Sequence, residues 1–126
     1  MFRMTPARRL MTLPEFWQIV EAAKREIKEI TVSDLKHMQQ SGEKFALVDV
    51  REREEHAKGM IPGAVAIPRG VVERDIEQAT TNKQQPLVIY CAGGARSALA
   101  ALNLKQMGFE NVMSLAGGYT AWDKEK

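Results

Sequence analysis

One cysteine in 126 residues leaves no partner for an internal disulfide, a composition that fits a reducing interior better than a secreted setting. No apolar run approaches the roughly 18 residues that span a bilayer, and no apolar secretion segment is present. The expectation is a cytoplasmic protein with no membrane partner. Metal ligands are equally scarce: His37 and His56 have no second cysteine or neighbouring histidine to complete a tetrahedral set, so no metal is expected and both read as surface side chains. With 18 basic against 16 acidic side chains the net charge is +2, too small a field to grip nucleic acid, and any anion must be held locally. The 44% hydrophobic and 27% charged content belongs to an ordinary domain, long enough to bury one core.

The lone cysteine closes an apolar run, Leu87-Val88-Ile89-Tyr90, set off by Pro86 and read as a buried strand. Behind it Ala92, Gly93, Gly94, Ala95 and Arg96 form a short loop. An Ala/Leu-rich helix is expected from Ser97 to about residue 107, with Gly108 at its C-terminal cap position. The first N–H groups of a helix have no partner within it and carry the positive end of its dipole. A loop wrapped around such a terminus makes a cradle for an anion, here the Cys91 thiolate or a group bonded to it. A free thiol titrates near 8.5, and such surroundings lower that to roughly 3.5 to 7.5. The dipole alone supplies at most ~2 kcal/mol, about 1.5 units, so direct N–H bonds to sulfur and the charge of Arg96 must supply any larger shift. On these residues alone a second reading stands beside the first: a small buried hydrophobe at a tight strand-to-helix turn.

Along the rest of the chain, the first fourteen residues carry Arg3, Arg8 and Arg9 and no acidic group, the bias of a transit peptide without its serine enrichment, and read as a loose arm. From Pro14, an amphipathic helix of about four turns sets Phe16, Ile19, Val20, Ala23 and Ile27 opposite Glu21, Lys24, Arg25 and Lys28 and packs on the protein's own body. Trp17 either extends that stripe or stays half exposed. Thr31 with Asp34 reads as the capping box of a short helix through Leu35 and Met38, closed by Gly42. Residues 45–50 are apolar except Asp49, as in a strand covered on both faces. Arg51-Glu52-Arg53-Glu54-Glu55 reads as a solvated charge cluster. A strand at 65–67, a helix marked by Val71, Val72 and Ile76, a polar connection at 80–85, a strand at 112–114 and a final helix with Tyr119 and Trp122 complete the chain. Alternating strands and helices imply a three-layer α/β domain, a mostly parallel central sheet with helices on both faces, plus the N-terminal helical extension. Ligands of such sheets bind beyond the carboxyl ends of the strands, where the Cys91 loop lies.

The segment Cys91-Ala92-Gly93-Gly94-Ala95-Arg96-Ser97 resembles the active-site loop of the rhodanese (thiosulfate:cyanide sulfurtransferase) family. Three further stretches match that family in order: Leu47-Val48-Asp49-Val50-Arg51-Glu52, Gly59-Met60-Ile61-Pro62-Gly63-Ala64 and Leu115-Ala116-Gly117-Gly118-Tyr119-Thr120-Ala121-Trp122. The resemblance covers residues 30–126 as a rhodanese-like domain and leaves 1–29 as an arm and amphipathic helix. It implies Cys91 as the catalytic nucleophile, Ala92, Gly93, Gly94, Ala95, Arg96 and Ser97 as the loop that binds substrate and persulfide, Asp49 and Arg51 as structural supports, and no cofactor. Many relatives carry histidine where this chain has Met60; that histidine is not the family's nucleophile, so activity is expected without it.

The expected function is therefore transfer of sulfane sulfur from a small donor such as thiosulfate to a thiol, cyanide or protein acceptor through a Cys91 persulfide, with Arg96 attracting an anionic donor. A cysteine phosphatase is the chemical alternative, since phosphate and persulfide both want converging N–H donors; those enzymes show Cys-x5-Arg, against Cys-x4-Arg here. A docking module that keeps the fold without the chemistry is the non-enzymatic alternative, and such relatives usually lose the cysteine. The residues single out neither one acceptor nor an oligomeric state.

Overall fold

The structure, a computed structural model, describes residues 14–126; the basic arm expected before Pro14 lies outside the described residues. Five strands, β1 (Lys28–Ile30), β2 (Ala46–Asp49), β3 (Val65–Ala66), β4 (Leu87–Tyr90) and β5 (Val112–Leu115), form one sheet in the order β1-β5-β4-β2-β3, every pair parallel. Among the described residues the helices are α1 (Pro14–Glu26), α2 (Val32–Ser41), α3 (Arg53–His56), α4 (Val72–Asp75), α5 (Ala95–Gln106) and α6 (Gly118–Glu125).

Side-chain alternation along the central strand assigns the two faces. Leu87 and Ile89 of β4 join Val72 of α4 and Ala100, Ala101 and Leu104 of α5 in one core. Val88 and Tyr90 join Leu35 and Met38 of α2 and Trp122 of α6 in the other. All four β4 residues are fully buried, which explains the unbroken apolar run: with helices on both faces, neither set of alternating side chains meets water. Alanines 98, 100 and 101 let α5 lie close to the sheet, and β4 hands its C-terminal end directly to the loop before α5.

The Thr31 capping box forms in both directions, Thr31 N to Asp34 Oδ2 at 2.9 Å and Asp34 N to Thr31 Oγ1 at 3.1 Å, and Gly42 closes α2 in the left-handed conformation. Three expectations are corrected. The sheet has a strand, β1, that hydrophobic patterning does not reveal, because of Lys28-Glu29-Ile30 only Ile30 is buried and the pairing with β5 is made by backbone. The helix expected around residues 71–76 is broken into α4 between two 3-10 turns, Arg69–Val71 and Ile76–Gln78. Finally, α1 docks on α5 through a narrow line: Val20 and Ala23 are buried, whereas Phe16 and Ile19 are 39% and 59% exposed. Trp17 is half exposed and meets Phe16 edge-on at 5.0 Å. Among the described residues no helix is long and apolar enough to cross a membrane.

That narrow line makes a graded expectation. Val20→Ala should cost about 1 to 3 kcal/mol in urea unfolding, the loss expected for a fully buried aliphatic side chain, and Ile19→Ala less than about 0.5 kcal/mol. Equal losses would mean that the exposed face of α1 is also packed.

Candidate active site

Cys91 follows the last residue of β4, at the carboxyl edge of the sheet, and is buried at the floor of the loop. Its Sγ lies 3.1 Å from Gly94 N, 3.4 Å from Ser97 N and 3.5 Å from Ser97 Oγ. Gly94 caps α5 with φ of +107°, a backbone conformation that side-chain-bearing residues rarely adopt, and this turn aims its N–H at the sulfur. The helix starts at Ala95, two residues earlier than the sequence suggests, so Ser97 N belongs to its first turn, where N–H groups are free to point at an anion.

Burial opposes ionisation of Cys91, but the Ser97 hydroxyl and the N–H groups of Ser97, Gly94 and Gly93 outweigh it, and the thiol titrates below its ordinary value. Ser97 Oγ also stands 2.8 Å from Ser114 Oγ on β5, both fully buried. A hydroxyl that accepts from Ser114 keeps its own proton free for the sulfur.

The loop's carbonyls are held from the opposite side. Tyr119 N donates to Cys91 O at 2.8 Å and Thr120 N to Ala92 O at 3.0 Å, so the first turn of α6 takes the acceptors while the donors face Sγ. This approach needs Gly118: its φ is +54°, and a Cβ there would meet Cys91 O and stand 2.7 Å from Ala92 O.

Asp49 and Arg51 sit beneath this arrangement, both buried. Asp49 accepts from Arg51 N at 2.9 Å and from its Nε and Nη2 at 2.9 to 3.1 Å, and Arg51 Nη2 reaches Gly59 O at 2.6 Å. The guanidinium lies 4.1 Å from the centre of the Tyr119 ring, and Tyr119 stacks on Tyr90 at 6.3 Å. Tyr90 Oη accepts from Ile61 N at 3.0 Å, and burial keeps its hydroxyl protonated well above the usual phenol range. One guanidinium thus ties the end of β2 to Gly59 and to α6. Met60 is half-buried beside Gly59.

Two side chains read as solvated belong to the site's surroundings. Glu55 accepts from Arg96 Nη1 and Nη2 at 2.9 and 3.2 Å and from Glu52 N at 2.8 Å. The hydrogen bonds from Arg96 lead in holding its carboxyl down at about 2. His56, expected at the surface with His37, has a side chain only 10% exposed, its Nε2 3.3 Å from Asp49 Oδ1 without hydrogen-bond alignment. His37 is exposed. The cause is the turn of α3, which the Glu52–Glu55 cap orients so that His56 faces Asp49. A capping signal, an acceptor three residues after Glu52, was present in the sequence; Ser114 was signalled too, as a polar residue in a buried apolar strand. Among the described residues no cluster of metal-ligating side chains occurs.

The family model for the Rhodanese-like domain matches residues 31–125. A protein from Allochromatium vinosum named sulfurtransferase is 38% identical over 96 residues, covering 76% of this chain and 88% of that one. A structure from Rhodopseudomonas palustris, named as a protein of unknown function and possible tyrosine phosphatase, superposes with a TM-score of 0.78 at 30% identity over 99% of this chain and 96% of that one. The human single-domain sulfurtransferase TSTD1 superposes with a TM-score of 0.70 at 27% identity, over 78% of this chain and 96% of that one.

The donors around Sγ and the helix that holds their loop set three expectations. Because the thiol's pKa is lowered in the folded protein, the thiolate persists to lower pH than in a free thiol, and the alkylation rate should rise with pH through a midpoint below that of a free thiol. Ser97→Ala, which removes the hydroxyl donor but not the N–H groups, should move that midpoint upward. Gly118→Ala should cost about 2 kcal/mol or more in thermal or urea unfolding and also raise the Cys91 midpoint, since α6 can no longer hold the loop carbonyls.

Proposed function

The chain belongs to the family of rhodanese-like domains, and on that footing we propose that it is a sulfurtransferase that carries sulfane sulfur on Cys91. The observation that carries the reading is the sulfur itself: the only cysteine of the chain, held by two backbone N–H groups and a hydroxyl that favour its charged form. The thiolate attacks the outer sulfur of a donor. With thiosulfate, a new S–S bond forms at Cys91, the old one breaks, and its electron pair leaves on sulfite. The resulting persulfide is again an anion that converging N–H donors suit. An acceptor nucleophile, a thiolate, cyanide or a protein thiol, then takes the outer sulfur and returns Cys91 to the thiolate. No cofactor enters either half.

A reducing, cytoplasmic setting suits a mechanism that needs its one thiol free. The phosphatase named for the Rhodopseudomonas palustris protein is the alternative for this loop. Arg96 weighs against it: the guanidinium that would grip phosphate is bound to both oxygens of Glu55.

The test is intact mass after thiosulfate treatment. Wild-type protein should gain one sulfur atom and lose it on reduction, whereas Cys91→Ser should gain nothing and lose transfer activity by several orders of magnitude while staying folded. With no second thiol to discharge the persulfide, donor and acceptor should react alternately and give parallel double-reciprocal lines. Transfer by Cys91→Ser near the wild-type rate, or phosphate release from an aryl phosphate in place of sulfur loading, would overturn the reading.

A further inference from the structure

The arginine of the loop is neutralised before any donor arrives. Arg96 lays two N–H groups on the two oxygens of Glu55, and Glu55 is fixed in turn by Glu52 N. The charges that act on Arg96 are Glu55, the Cys91 sulfur and Glu52. The other cation that acts on Glu55, Arg51, is committed to the buried Asp49. Both members of the Arg96–Glu55 pair are about one-third exposed, with side-chain values of 34% and 33%, so the pair sits at the rim of the site.

We propose that Glu55 is a specificity-determining residue: by holding Arg96 in a neutral pair it selects sulfur donors with at most one negative charge, such as organic persulfides and thiosulfonates, over the thiosulfate dianion. The donor class rests on the sulfur-transfer reading, but the charge selection itself does not. In the thiosulfonate reaction the Cys91 thiolate and R–SO2–S⁻ give the Cys91 persulfide anion and R–SO2⁻: the bond to the outer sulfur forms, the S–S bond to the sulfonyl breaks, and its electron pair leaves on the sulfinate. Thiosulfate brings one further negative charge to the same encounter, and Coulomb energy scales with the product of the charges.

Glu55→Gln isolates this effect, because glutamine still caps α3 by accepting from Glu52 N while no longer cancelling Arg96. The measurement is the ratio of Cys91 alkylation rates with iodoacetate and with iodoacetamide at one pH, in which the thiolate fraction cancels. For a pair this exposed, Glu55→Gln should raise the ratio about threefold, and Arg96→Gln should lower it. The ratio of kcat/KM for thiosulfate to that for benzenethiosulfonate, again one charge apart, should rise by a similar factor in Glu55→Gln. An iodoacetate preference that is unchanged or lower in Glu55→Gln, or unchanged in Arg96→Gln, overturns the proposal whether or not Cys91 carries sulfur. Failure of both sulfur donors to load wild-type Cys91 overturns the transfer reading instead, and the alkylation ratios still decide the charge selection.

Discussion

A sulfur anion removed from water has to be compensated by dipoles, because burial alone favours the neutral thiol. Every peptide in the Cys91 loop offers both an N–H and a carbonyl, and donors converge only if the acceptors are engaged elsewhere. That requirement links parts of the chain that are distant in sequence. Gly94 turns one N–H toward Sγ, α5 opens early enough to bring Ser97 N into reach, and the first turn of α6 takes the carbonyls of Cys91 and Ala92. Ser114 of β5 bonds the Ser97 hydroxyl that meets the sulfur. Each of these favours the charged form of the sulfur against the burial that opposes it.

The geometry of α6 is secured one layer further out. Arg51 joins Asp49 at the end of β2 to the Gly59 carbonyl and to the face of Tyr119. A buried ion pair of this kind is a weak source of net stability, but its breakage is costly, since the remaining charge has no water to turn to. Its value here is positional: it fixes where α6 begins, and hence where the loop carbonyls can be held. His56, lying against the same aspartate from α3, completes the packing around it.

The parts of this arrangement that are local in sequence were legible there. The apolar run ending at Cys91, the glycine loop, the Thr31 capping box and the buried strand with Asp49 all follow from short-range chemistry, and their order brought the family resemblance with them. What escaped was contact across the chain. Glu55 looks like one of five charged residues until α3 brings it to an arginine 41 positions away. β1 hides because an edge strand needs little apolar area when backbone pairing with β5 holds it. The buried line on α1 is narrower than its apolar stripe for a related reason: spacing shows which residues share a helix face, but not how much of that face its neighbour covers.

The dependence of the loop on α6 also separates two kinds of support by their distance along the chain. Ser114, Tyr119 and Thr120 lie 23 to 29 positions beyond Cys91 and act on it or its loop only through long-range contacts in a wholly parallel sheet. The donors that meet Sγ come from Gly94 and Ser97, within six positions of it, whereas the carbonyls of the same loop are held from that distant helix. A disturbance of α6 therefore reaches the sulfur by way of the loop's acceptors and leaves its donors in place.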